Sequence, residues 1–266
     1  MLYQPGKTPH NLPFDPFKAC IVPRPIGWIS TTSPLAPPTN DAGQQQQQQQ
    51  QQAPPSPRHN LAPYSQFAQL NFDPPYILFS ANQNPHADSA LDCRKDTVRN
   101  IEATGKFAWN LATYDLRDAV NISAQQLRPG DDEFVHAGLE KEFTTLLPGD
   151  DANPVPMVRA SPVRFECVHH STLRLPGNGP VGSVDVVIGR VVGVHIADGV
   201  LDERGRIDVG RVRPIARCGY YEYAVVGEEG TVFEMVVPGA DEVLLAGLEG
   251  SSQRVEAWTK AKMESS

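Results

Sequence analysis

Between residues 183 and 196 the chain carries Val184, Val186, Val187, Ile188, Val191, Val192, Val194 and Ile196, interrupted by Gly189 and Gly193. Side chains branched at Cβ lose rotamer freedom against a helix turn and fit a pleated surface better. A glycine inside such a run packs no side chain and marks a bulge or a barrel corner. The run therefore predicts one long strand, bent twice, ending at the tight turn Asp198-Gly199.

The rest of the chain has the same texture. Residues 20–32 predict an extended segment leading into a strand, with Pro23 and Pro25 placing its first part at a sheet edge or bulge. Strand-like content follows over 61–70, 76–81, 106–111 and 163–170, and residues 220–226 and 231–237 predict a hairpin around 227–230. Helices are expected over 96–103, with Asp96 as a cap and Gly105 as a stop, over 116–127, and within 240–262, with a shorter helix or irregular turn over 131–142. Strands dominate and do not alternate with long helices, which argues against a doubly wound parallel sheet. A closed antiparallel barrel removes the exposed edges that so many strands create. The expected organisation is an irregular arm (1–18), one domain (19–238) and a helical extension (239–266). Residues 33–58, Pro-rich and holding nine consecutive glutamines from Gln44 to Gln52, form an insertion with nothing apolar to bury.

Charge and motif content narrow the chemistry. A formal net charge of -8 offers no concentrated basic face, so no nucleic-acid partner is expected. The apolar runs are too short to span a bilayer, and no secretory signal is visible. Cys20, Cys93, Cys167 and Cys218 lie far apart and read as free thiols in a reducing, cytoplasmic setting. Dinucleotide fingerprint, Walker loop, His-Glu metal helix and nucleophile elbow are all missing from the sequence. His169-His170 would point to opposite faces of a strand. No metal and no catalytic side chain are assigned.

Four segments carry the functional reading: Pro23-Arg24-Pro25-Ile26-Gly27-Trp28-Ile29-Ser30-Thr31; Asn60-Leu61-Ala62-Pro63-Tyr64-Ser65 with Phe67; Arg94-Lys95-Asp96-Thr97 with Asn100; and Arg213-Pro214-Ile215-Ala216-Arg217 with Gly219 and Tyr223. Together and in this order they resemble the flavin reductase-like family, whose domain is the FMN-binding split barrel. The resemblance implies a mostly β, antiparallel split barrel with Greek-key elements and peripheral helices. It also implies FMN as cofactor, NADH or NADPH as electron donor, a small-molecule acceptor, and a homodimer with flavin near the interface. By position it puts Thr31, Thr32, Ala62, Tyr64 and Ser65 at flavin-contacting places, and Asn110 and Arg217 near the flavin. Lys95, Asp96 and Thr97 fall on its phosphate-contacting stretch, where a lysine charge, a hydroxyl and unpaired helix N–H groups suit a dianion.

Several residues keep two readings. Trp28 is a stacking partner or a core residue, Asp96 a ligand contact or only a helix cap, Asn110 a flavin partner or a satisfied buried amide. Arg217 meets the cofactor or forms a structural ion pair, and His195 orients a nicotinamide or serves only its strand. The family usually has two glycines where this chain has Gly219-Tyr220, so a narrower pocket or an altered backbone is expected here. Two rival functions stand beside the reductase: a flavoprotein with a different electron partner, and a barrel interaction module whose ligand site has decayed.

Overall fold

The valine-rich run forms β10 (Val184–Ile196), a strand of 13 residues, and its backbone shows why the glycines are there. It pairs antiparallel with β9 (Val163–Leu175), and the register slips at Ile188/Gly189 and again at Val191/Gly193. A Cβ on Gly189 would lie 2.3 Å from the Phe107 ring, and one on Gly193 would lie 2.9 Å from Leu146. The Gly189 bulge thus sits against the barrel core, and the Gly193 bulge lets Leu146 and Glu166 approach the strand. The computed structural model describes residues 1–9, 11–35, 58–83, 93–128, 131–178, 182–227, 230–233, 235, 260 and 263. They belong to two units, Met1–Glu229 and Gly230–Ser266. In the second unit Lys260 and Met263 are helical, and most of the expected 240–262 helix, like the glutamine run, lies outside the described residues.

The first unit is built on a seven-stranded antiparallel sheet in the order β3-β2-β6-β9-β10-β5-β4. Its other strands are β2 (Gly27–Thr32), β3 (His59–Tyr64), β4 (Phe67–Phe72), β5 (Pro75–Asn82) and β6 (Lys106–Asn110). β5 lies beside β10 although β6 and β9 follow it in the chain, the return of a Greek key. The two edge strands, β3 and β4, are consecutive and joined only by Ser65 and Gln66, so the sheet must curl until its edges meet. Ser80 N–H donates to the Gln66 carbonyl at 2.9 Å, carrying the β4–β5 ladder into this connection. The segment 61–70, expected as one strand, is therefore two.

Inside the barrel Ile29, Phe79, Phe107, Trp109 and Val187 pack with Val98 and Ile101 of α2 (Asp96–Thr104), so this helix plugs the interior. α2 begins where Asp96 predicts and stops at Gly105, whose φ of 72° only glycine adopts easily. A second core holds Ile26, Trp28, Leu61, Val120, Phe134, Val158 and Ile215 on the outer side of β2. With Ile29 in one core and Trp28 in the other, β2 is buried at all six positions and shows no alternation.

A smaller sheet joins β1 (Arg24–Pro25), β11 (Ile215–Gly219) and β12 (Glu222–Val225). In place of the expected hairpin with 231–237, 222–225 turns back on 215–219 through Tyr220 and Tyr221, and the described residues of 231–237, 231–233 and 235, lie in no strand. The alternation in 220–226 was real, but its partner precedes it. A two-stranded ribbon, β7 (Lys141–Phe143) with β8 (Pro156–Val158), completes the strands. Short helices α1 (Phe17–Cys20), α3 (Arg117–Ile122), α4 (Glu133–His136) and α5 (Val209–Val212) lie at the periphery. α3 is about half of the helix expected over 116–127, and α1 interrupts the arm expected to be irregular. No described helix is long and apolar enough to cross a membrane.

Gly189→Ala forces a methyl into the Phe107 ring and should lower the unfolding free energy by about 1–3 kcal/mol, the usual cost of overpacking a core. Urea denaturation of the two proteins measures it.

Candidate functional site

The opening turn of α2 meets the outer edge of β3. Thr97 sits there, buried, and its Oγ1 accepts hydrogen bonds from Asn60 Nδ2 and from Tyr64 OH, each at 2.8 Å. One turn later Asn100 Nδ2 donates to Thr31 Oγ1 at 3.0 Å. These bonds fix the helix start against β2 and β3, and they gather Thr31, Tyr64, Lys95, Asp96 and Thr97 in one neighbourhood. Ala62 lies between Asn60 and Tyr64 on the same strand.

The helix start is electrostatically open. Lys95 is its N-terminal cap, and its side chain makes no capping hydrogen bond. The cations beside Lys95 are engaged: Arg94 pairs with Glu102, and Arg99 with Asp96. Among the described residues no carboxylate pairs with Lys95, which is only partly buried. Asp96 does not cap the helix with its side chain. A partly buried ammonium beside the first-turn N–H groups of a nine-residue helix suits an anion with several acceptor oxygens.

Acidic groups border the same edge. Glu133 Oε2 accepts from Leu61 N–H at 3.0 Å and so occupies an outward-facing amide of edge strand β3. Burial pushes the Glu133 carboxyl above its ordinary range, opposed by its backbone hydrogen bonds and reinforced by Asp132 and Asp96. Burial also raises the Tyr64 hydroxyl; the bond to Thr97 works the other way, and Glu133 and Asp96 add to the rise. Tyr64 therefore remains a neutral donor. Glu133 lies 72 residues from Leu61, and nothing in its surroundings in the sequence predicts the contact.

The remaining expected residues divide. Thr32 is buried and donates to Asn153 Oδ1 at 2.8 Å. Asn110 is fully buried: its Nδ2 donates to the Trp28 carbonyl and to Ser30 Oγ at 3.1 Å each, and its Oδ1 accepts from Val158 N–H at 2.7 Å. Those are the partners of a satisfied core amide. Trp28 is likewise wholly buried, with Nε1 donating to Ser123 Oγ at 2.9 Å. His195 Nε2 is 2.7 Å from Glu166 Oε1, and that buried carboxylate also holds the 145–146 backbone. Arg213 reaches Asp115 at 3.6 Å and lies over the Tyr114 ring. Ser65 and Arg217 line a groove of about 520 Å³, with Phe14, Phe17, Arg24 and Tyr220 among its other walls. Arg217 donates to Tyr223 OH at 2.6 Å and forms no ion pair among the described residues. All four cysteines are unpaired.

This arrangement, a helix start set against the edge of a curled antiparallel sheet, can be compared with known proteins. The model of the Flavin reductase like domain matches residues 20–215. The chain belongs to that family. Uncharacterized protein BH2278 of Halalkalibacterium halodurans is 30% identical over 208 residues, covering 78% of this chain and 84% of the relative. Nitrilotriacetate monooxygenase component B from Bacillus cereus superposes with a TM-score of 0.68 at 26% identity, over 88% of this chain and 98% of that one. An FMN-binding protein from Thermus thermophilus shares the fold at a TM-score of 0.55 and 16% identity, over 88% and 99% of the two chains. Family membership makes this a flavin-related oxidoreductase domain in the broad sense.

His59 on β3 gives this edge a pH signature. Burial first, and then Lys141, lower its pKa to about 4 against 6.5, with Asp132 opposing. Lys141 Nζ lies 2.9 Å from His59 Nδ1 and can only donate, so the ring is neutral. Between these values the unfolded chain binds more protons at this site than the folded one, so stability falls as pH drops from 6.5 toward 4. His59→Gln should flatten that part of the stability profile, as followed by denaturant midpoints from pH 7 to 4.

Proposed function

We propose that this protein is an FMN-dependent oxidoreductase in which the opening turn of α2 grips the cofactor phosphate and edge strand β3 borders the isoalloxazine ring. The observation that carries the reading is the Lys95 ammonium, paired with no carboxylate among the described residues, at a helix start whose cap residue makes no side-chain capping bond. A phosphate of nearly two negative charges meets there one cation and several N–H donors. The family motif supports the same three positions, Lys95, Asp96 and Thr97, and the Thermus thermophilus protein of the same fold is an FMN-binding protein.

The residues present fit such a cofactor. Ala62 and Tyr64 offer an apolar, partly buried wall next to polar atoms already held in place by Thr97. Thr31 acts at one remove, by fixing Asn100 and with it the helix start. Arg99 compensates the Asp96 charge, which would otherwise oppose an anion at this turn. Bound flavin would supply the redox chemistry, accepting a hydride from NADH or NADPH and passing electrons to a small acceptor. The chain's own part is to bind, orient and exclude water, so the site needs no acid–base pair. In this reading the protein works as a homodimer with flavin near the interface, and light scattering checks the association.

The purified protein should be yellow or become so with FMN, and the complex should oxidise NADH or NADPH in a steady-state assay. Tight flavin with no oxidation of either nucleotide would remove the nicotinamide step while leaving the flavoprotein. Lys95→Ala should weaken FMN binding by about 1–3 kcal/mol, the scale of one charge-assisted contact, with the melting temperature nearly unchanged. Fluorescence titration of FMN against both proteins measures it, and equal affinities would take Lys95 out of the site.

A further inference from the structure

Lys95 has two arginine neighbours, and carboxylates of α2 hold both of them. Arg99 is paired with Asp96, and Arg94 with Glu102. Each pair cancels its own charge. The opening turn therefore presents one net cation, Lys95, which no carboxylate pairs among the described residues. A phosphate monoester carries about 1.5 to 2 negative charges near neutral pH. The turn falls short of that charge although a second cation, Arg94, stands next to Lys95 in the chain.

What holds Arg94 is a row of ion pairs that begins in the barrel wall. Asp185 of β10 is wholly buried and stands directly opposite Arg174 of β9. A buried carboxylate needs a cation and further hydrogen bonds to offset its lost hydration. Arg174 Nε donates to Asp185 Oδ1 at 2.5 Å, and Gln83 Nε2 lies 3.3 Å from each Asp185 oxygen. Tethered at Nε, Arg174 extends a second nitrogen to Glu102 Oε1 at 3.2 Å. The other oxygen, Glu102 Oε2, accepts from Arg94. Helical side chains lean toward the start of their helix, so Glu102 reaches back along α2 in the direction of Arg94. Its carboxylate is thus held between two arginines, one anchored to the wall and one beside the phosphate turn. Glu102, Arg174, Asp185 and Gln83 all lie outside the four motif segments.

We propose that Glu102 sets the affinity for FMN by holding Arg94 off the phosphate, so that one ion pair grips the cofactor and it stays exchangeable. The inference rests on the reading that the phosphate lies at the α2 turn. Glu102 touches neither flavin nor substrate. It is a positioning residue that acts through Arg94, and its effect is opposite in sign to that of a binding group: its loss strengthens the complex.

Fluorescence titration of the full chain with FMN and with riboflavin tests this in Glu102→Gln, Arg94→Met and the variant carrying both. Glu102→Gln should tighten FMN roughly tenfold, as one added charge-assisted contact does, and leave riboflavin unchanged. Arg94→Met alone should leave FMN affinity unchanged, and in the double variant the gain should vanish. Damage to the fold weakens both flavins and cannot strengthen one of them. Glu102→Asp serves as a second variant: it draws the carboxylate back from Arg94, keeps a charge near Arg174, and should also tighten FMN. FMN affinity unchanged or lowered in both Glu102 variants would overturn the proposal. So would a gain that persists without Arg94, or a loss of FMN affinity in Arg94→Met alone, which would place Arg94 on the phosphate already. A wild-type protein that binds FMN no more tightly than riboflavin would remove the phosphate reading and this inference together. A preference for FMN that ignores Glu102 would remove this inference alone.

Discussion

The Thr97 hydroxyl joins two elements that would otherwise only lie side by side. It accepts from Asn60 and Tyr64 of the edge strand, and through it the first turn of α2 is registered on the barrel wall. Val98 and Ile101 then seal the barrel interior from the same helix. The position of Lys95 follows from this pairing, because a cap residue can point only where its helix starts. Thr97→Val would leave two polar groups facing a methyl, so a structural and a binding consequence share one atom.

The barrel itself rests on closure. β3 and β4 are the edges of one sheet and neighbours in sequence, and the bulges at Gly189 and Gly193 supply the bends that closure needs. The edge amide of Leu61 is taken by Glu133, so this part of β3 is covered by a side chain of α4 instead of another strand. Beyond it, Tyr64 is held by Thr97 of the α2 turn and Ser65 lines the groove that also holds Arg217.

Much of this was legible in the sequence for identifiable reasons. Gly189 and Gly193 announced bulges because a glycine amid valines has few other uses, and Asp96 and Gly105 bounded α2 through their local backbone preferences. The motifs located Lys95, Tyr64 and Thr97, which the structure brings together. What failed was partner choice. The alternation in 222–225 said strand but not that 215–219 would pair with it, and β2 showed no alternation because both its faces are covered. Asn110 and Trp28 matched motif positions, but only their neighbours in space reveal that their polar atoms are satisfied within the core. Glu133 was invisible, since its contact spans 72 residues and its helix is a single turn. Tyr220 was visible as a departure from the family pattern; its left-handed backbone was not.

The central claim is that the protein recognises a phosphate at the start of α2. The most direct measurement compares the dissociation constants of FMN and riboflavin, which differ only in that group. The account predicts that FMN binds at least about a hundredfold more tightly, as several charge-assisted hydrogen bonds imply, and that Lys95→Ala narrows the gap. Equal affinity for the two flavins, or a gap that Lys95→Ala leaves intact, would contradict it.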